Sequence, residues 1–206
     1  MFAHHSEAYP ERYLEDYATI EQLVERELAR GVIEAVERAV LNGDEDANEQ
    51  TGRDDFDGVL NRNGLRVVGW QGSLLETVAH ASFVMESNFE GANAWVFHPV
   101  DLKRLTMLRE NGDSGALLFG TGRTALSQFL GNTRIVTSNT LAPGTAIVGN
   151  WEKAKLMVAG PVTLKIYQDA GMIERNQFKI RAEGRFGLKV LRPSAFASVT
   201  LAADES

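Results

Sequence analysis

One apolar stripe, running from Tyr13 to Asn42, sets the first limit on what this chain can fold into. Apolar side chains recur at Tyr13, Tyr17, Ile20, Leu23, Val24, Leu28, Val32, Val36, Ala39 and Val40, mostly three or four positions apart. That period gathers them on one face of a helix. Glu21, Glu25, Glu27, Arg30, Glu34, Glu37 and Arg38 fill the other positions. At ~1.5 Å per residue the helix would run roughly 45 Å, longer than a compact domain of this size usually needs. Gly31 is expected to weaken its middle, and Asn42 with Gly43 to end it in a left-handed cap. A helix of this kind is a spine that other elements lie across.

The remaining pattern is helical early and strand-rich late. A helix is expected over 72–86, where Leu74, Leu75, Val78, Ala81, Phe83, Val84 and Met85 give a broad apolar face. The wholly apolar run Ala94 to Phe97 reads as a strand buried on both faces. Pro99 then suits the first turn of a helix reaching Arg109, and 111–115 has turn composition. Strands follow at 134–136, 145–148 and 162–167, with turns at 142–144 and 159–161. In the closing segment Phe178, Ile180 and Ala182 alternate with Gln177, Lys179, Arg181 and Glu183, the period of a half-buried strand. Gly184 and Gly187 allow a bend, Arg192 and Pro193 form a stop, and a last strand ends at Leu201. This order is α+β rather than a repeating βαβ series.

Composition removes several classes of function. The 206 residues are 44% hydrophobic and 24% charged, enough for one sizeable core or two small ones. With no cysteine there is neither a disulfide framework nor a thiolate metal site. The start of the chain has no apolar leader run, and no stretch approaches the ~20 apolar residues of a membrane span. A net charge of -7 disfavours a dedicated nucleic-acid binder. The basic residues Lys165, Arg175, Lys179, Arg181, Arg185, Lys189 and Arg192 nevertheless concentrate in the last third, while acids crowd between Asp44 and Asp57. That acidic loop imitates a calcium loop at Asp44, Asp46, Asn48 and Asp55, but Glu49 stands where the sharp turn needs glycine. The run from Gly120 to Ala125 imitates a dinucleotide fingerprint without the apolar strand before it. His4, His5, His80 and His98 have no metal-ligand spacing, and the first pair is expected to be disordered. Neither a catalytic motif nor a cofactor or metal set is present, so the chain reads as a non-enzyme without cofactor.

Four fragments carry a resemblance. The closing segment fits a pattern Arg-x-Gly-x-x-Val-x-x-Pro-x-Ala-Phe, ending at Pro193, Ala195 and Phe196. The long helix leads through Asn42, Gly43 and an acidic loop to a passage from Phe56 to Leu60. His98, Pro99, Asp101 and Leu105 match His/Asn-Pro-x-Asp-x-x-x-Leu, followed by a turn from Leu108 to Gly112. Gly144, Gly149 and Trp151, with Asn150 in place of Asp, correspond to Gly-x-x-x-x-Gly-Asp-Trp/Phe. Together and in this order they resemble the major capsid proteins of tailed phages, the Hong Kong 97-type fold.

The resemblance implies a fold, an assembly role and partners. A peripheral domain would hold the spine helix and acidic loop (1–68) and the return strands of a long β-hairpin (151–206). An axial domain of mixed sheet and helices would occupy 69–150. The function implied is structural: a phage or prophage subunit that self-assembles into hexamers and pentamers of an icosahedral, DNA-containing shell. Its partners would be copies of itself, with portal, scaffold or protease proteins, and packaged DNA touched only non-specifically. It would be located in the virion capsid, assembled in the bacterial host cytoplasm, with no membrane. Family members normally carry an N-terminal arm and an extended loop before the spine helix, where here only about twelve residues precede it, so the chain resembles a trimmed core expected to fold but not to close a shell alone. In some members a loop lysine joins an asparagine with help from a glutamate. Asn176 and Glu183 fall at the matching places, giving a crosslinking half-site without the loop lysine. The alternatives are an encapsulin-type compartment shell, separated by gene neighbourhood, and an unrelated α+β enzyme or binding module, which requires a polar pocket with perturbed acids.

Overall fold

The computed structural model describes residues 1–12, 18–45, 56–87, 91–111, 114–120 and 123–202. Its elements group into two units. The first holds 1–40, 44–56 and 156–188, and the second 41–43, 57–155 and 189–206.

In the first unit the spine is helix α1, Ala18–Asn42, whose last residues group with the second unit. Tyr13 and Tyr17, which open the sequence-derived stripe, lie outside the described residues. Strands β1 (Phe2–His5) and β2 (Tyr9–Pro10) each pair antiparallel with β10 (Gln177–Val190), as does the long strand β9 (Ala154–Tyr167) that precedes it. The helix stripe and the alternation in β10 are two halves of one core. Leu28, Val32, Val36 and Ala39 bury against Phe178, Ile180 and Ala182, with Phe2 among them. Fully burying each Val, Leu, Ile or Phe contributes about 1.5–3 kcal/mol, so this contact fixes which face of β10 points inward.

The segment β10 is one long strand through Gly184 and Gly187, as its alternation implies. Two expectations change here. The strand before it begins at Ala154 rather than Val162, and no turn forms at 159–161, because a strand bearing Pro161 needs no N–H there when it lies at an edge. His4 is ordered in β1, and its ring explains Gly31: a Cβ on that glycine would come within 2.7 Å of His4 Cδ2.

The second unit is a five-stranded sheet in the order β3-β11-β8-β4-β7, formed by Arg66–Val68, Phe196–Thr200, Thr145–Gly149, Ala94–Phe97 and Arg134–Thr137. The β3/β11 and β4/β7 pairs are parallel and the other two antiparallel. Helix α2 (Leu74–Glu86) starts at Ser73, whose hydroxyl accepts from the Glu76 amide and donates to the Glu76 carboxylate, an N-cap. Helix α3 (Pro99–Thr106) starts at His98, whose Nδ1 accepts from the Val100 amide. It stops at Thr106, whose hydroxyl bonds back to the Leu102 carbonyl, so Arg109 leaves the expected helix and opens a hairpin of β5 (Arg109–Asn111) and β6 (Ser114–Leu117). Helix α4 (Arg123–Phe129) follows. Leu74, Val78, Leu105 and Leu126 from the helices meet Trp95, Phe97, Val148 and Val199 from the sheet in one core.

The last strand departs most from expectation. The sequence reading grouped it with the return strands of 151–206, whereas β11 pairs with β8 and β3 inside the second unit. The reason is a close approach. A Cβ on Gly149 would lie 2.4 Å from the Phe196 ring and 2.8 Å from the Ala195 carbonyl oxygen. Only glycine lets that ring seat itself, where Trp151 meets it edge-on at 5.3 Å and the Asn150 amide donates to the Ala195 carbonyl at 2.9 Å. A helical turn, α5 (Ala170–Ile173), lies between β9 and β10.

Gly149→Ala is expected to destabilise the protein by about 2 kcal/mol or more, since both the ring and a backbone oxygen would have to move. Its melting midpoint should fall by roughly 5 °C. Gly69→Ala, with nothing within 4 Å of the new methyl, should leave it unchanged and serves as the control.

Candidate functional site

Two places concentrate the residues that the sequence singled out. The first is the face of β10 turned away from the core. Burial takes every second residue from Phe178 to Gly184, which leaves Lys179, Arg181, Glu183, Arg185 and Lys189 on the other side. Lys165 reaches Glu183 from β9, and Arg181 pairs with the same carboxylate at 2.5 Å. The hydrogen-bonded Lys165 ammonium, helped by the Arg181 guanidinium, holds the Glu183 carboxyl below its usual value, although partial burial acts in the other direction. A shallow cleft of about 340 Å³ lies over these residues, lined also by Gly160, Thr163 and Arg185.

Asn176 and Glu183 are not brought together. Asn176 stands just before β10 in a left-handed conformation, with φ 51°. Glu183 is seven positions further along one continuous strand, roughly 23 Å away at ~3.3 Å per residue. Its surroundings are also cationic, not the apolar setting that would make a carboxylate a strong base.

The second place is in the second unit, where the motif residues converge. Asp101 is buried at the first turn of α3, and its Oδ2 accepts the Gly144 amide at 2.7 Å while Arg104 approaches Oδ1 at 3.5 Å. The Gly144 carbonyl in turn accepts the Leu201 amide at 2.7 Å. Asn93 accepts the Trp151 amide on its side chain and donates its own amide to the Gly149 carbonyl. At the end of α1, the amides of Gly58 and Leu60 donate to the carbonyls of Gly43 and Leu41, and the Asn61 side chain donates to Gly43 as well. Each spaced motif is thus a set of hydrogen bonds between segments far apart in sequence. Asn93 and Asn61 escaped sequence reasoning because a side-chain amide tied to a distant backbone leaves no periodic trace.

The other sequence candidates hold no chemistry among the described residues. No group of three or more His, Asp or Glu there could hold a metal ion, and Asp46, Asn48 and Asp55 of the calcium-like loop lie outside them. Gly120 sits in a turn before α4, and 121–122 of the fingerprint-like run lie outside them. His98 is a helix cap. No described helix is long and apolar enough to cross a membrane.

The comparisons with known proteins identify the family. The phage capsid family matches residues 2–201, and the chain belongs to that family. Its role is that of a major capsid structural protein, not an enzyme, and the encapsulin-type alternative is not favoured over it. Among solved structures, the capsid of an empty GTA particle superposes with a TM-score of 0.73 at 15% identity, covering 98% of this chain and 74% of that one. The protein of Gordonia phage Cozz gives 0.67 at 19%, covering 98% and 70%. A virus-like particle from Pyrococcus furiosus gives 0.65 at 12%, covering 96% and 75%. At these identities the likeness establishes the Hong Kong 97-type fold. None of the curated proteins matches.

The Glu183 pairing gives a signed pH effect. With the folded pKa below the ordinary 4.5, the stabilisation is fully present above that value and is lost as pH falls through the folded one. Glu183→Gln should therefore melt below the wild-type protein at pH 7, and the two midpoints should converge as the pH falls through the folded value. Added salt should narrow the pH 7 difference, because the pair is partly exposed.

Proposed function

We propose that copies of this chain form five- and six-membered rings that tile an icosahedral shell around packaged DNA. In this reading the first unit serves as the peripheral domain and the second as the axial domain that faces the ring's centre. Assembly takes place in the cytoplasm of a bacterial host, with portal, scaffold or protease proteins, and the acidic chain touches DNA only non-specifically. The observation that carries the reading is the match of 2–201 to the phage capsid family. It is supported by the described surface, which exposes large apolar side chains such as Phe83, Met107, Met157 and Ile166 without enclosing a polar reaction site. The GTA capsid that shares the fold was solved with C5 symmetry. Electron microscopy of the concentrated protein is expected to show rings of five- or six-fold symmetry, and monomers at every concentration would overturn the reading.

A covalent refinement of the shell runs through Asn176. A lysine amine from a neighbouring copy would attack the side-chain carbonyl carbon, forming a new C–N bond and releasing ammonia, while a carboxylate takes the amine proton. Because one strand separates Asn176 from Glu183, the carboxylate would come from a different copy than the asparagine. Denaturing mass spectrometry of assembled particles should then show ladders, each linkage lighter by one ammonia. Monomer mass alone would leave Asn176 and Glu183 as sheet residues.

A further inference from the structure

Helix α2 and the α3–α4 side of the second unit carry surfaces that fit each other but cannot meet within one chain. On α2 the side chains turned away from the core are Glu76, His80, Phe83 and Glu86. Phe83 is 66% exposed, a phenyl ring standing free on a helix whose opposite face is sealed into the core. Glu86 lies one turn beyond it on the same stripe. Glu76 is committed to the helix cap, so Glu86 is the acid left to act outward.

At the other end of the sheet lies a cleft of about 310 Å³, lined by Pro99, Lys103 and Met107 from α3 and its end, Arg123 from α4 and Thr137 from β7. Its walls are apolar where Pro99 and Met107 stand, with Met107 59% exposed, and its rim carries the cations Lys103 and Arg123. A ring of phenyl size fits that volume. Arg123 or Lys103 over its face adds a cation–π attraction, and Glu86 meets the remaining cation.

The two surfaces are not copies of each other. Helix α2 packs over β11, β8 and β3, whereas the cleft lies beside β7, the far edge of the same sheet. We infer that Phe83 and Glu86 of one copy dock into the Lys103–Met107–Arg123 cleft of the next copy, forming a head-to-tail contact. Such a heterologous contact leaves each copy with one free knob and one free cleft, and it ends only when a ring closes. The occupant is a second copy because the family builds shells from copies of one chain, and because acid meets base across the pairing. This inference rests on the ring-building reading and assigns it one interface.

Two variants test it, Phe83→Ser/Glu86→Gln without the knob and Lys103→Gln/Arg123→Gln without the cleft. All four side chains are on the surface, so the melting midpoint should hold. If either pair lowers it, Phe83→Ser alone and Arg123→Gln alone carry the same test. In sedimentation velocity at low salt, each variant by itself should lose association by at least about 30-fold, the scale of an aromatic anchor. Mixed together they should form dimers and nothing larger, because only the intact knob of one and the intact cleft of the other can engage. Variants that associate as the wild type does would overturn this interface and leave ring building standing. A mixture that grows beyond dimers would overturn the head-to-tail geometry. A wild-type protein that stays monomeric would remove both the interface and the ring-building reading.

Discussion

The second unit depends on one steric bargain, the Phe196 ring seated where Gly149 has no side chain. The approach brings the ends of β8 and β11 close enough for Asn150 to donate to Ala195 and for Trp151 to close over the ring. Once β11 is held there, its pairing with β8 on one side and β3 on the other sets the order of the whole sheet. The strand 196–200 thereby lies inside the sheet, between strands from 66–68 and 145–149. Its contacts join residues far apart in sequence, with long loop-closure distances.

Hydrogen bonds to buried polar groups do the same for the rest of this unit. Asp101 is a carboxylate in a core, which is costly unless every acceptor is used. It is used: it holds the turn at Gly144, whose carbonyl holds the end of β11. His98, Pro99 and Asp101 are therefore a helix start and a tether in four residues, which explains why that short pattern persists as a recognisable unit. In the first unit the division is electrostatic. One face of β10 is apolar against α1, and the other collects cations around a single carboxylate, so an acidic chain presents a locally basic sheet.

What was legible in the sequence follows from range. Periodic signals are local, and they placed α1, α2, the strand from Ala94 to Phe97 and the inward face of β10 correctly. Turn signals were weaker. The 159–161 segment reads as a turn, yet β9 passes through it, because pairing along a whole hairpin outweighs the preference of one or two residues. The site was less legible than the fold. Asn176 and Glu183 were picked out by spacing along the chain, and the same spacing, once extended as a strand, holds them apart. Nothing local in the sequence announces that Lys165 reaches Glu183 from the neighbouring strand.

Motif spacing succeeded where it encoded contacts between backbones. Gly144 and Gly149 are five residues apart because one strand, β8, spans the distance between the Asp101 tether and the Phe196 seat. Pro193, Ala195 and Phe196 are spaced by the short turn that delivers the ring. These positions tolerate little change, whereas the outward faces of α2 and of the α3–α4 cleft are bound by no such internal requirement. A shell protein needs this separation: the interior fixes one shape for every copy, and the surface is left to decide how copies meet. At 12–19% identity to the capsids that share its fold, the fold is kept while most side chains differ.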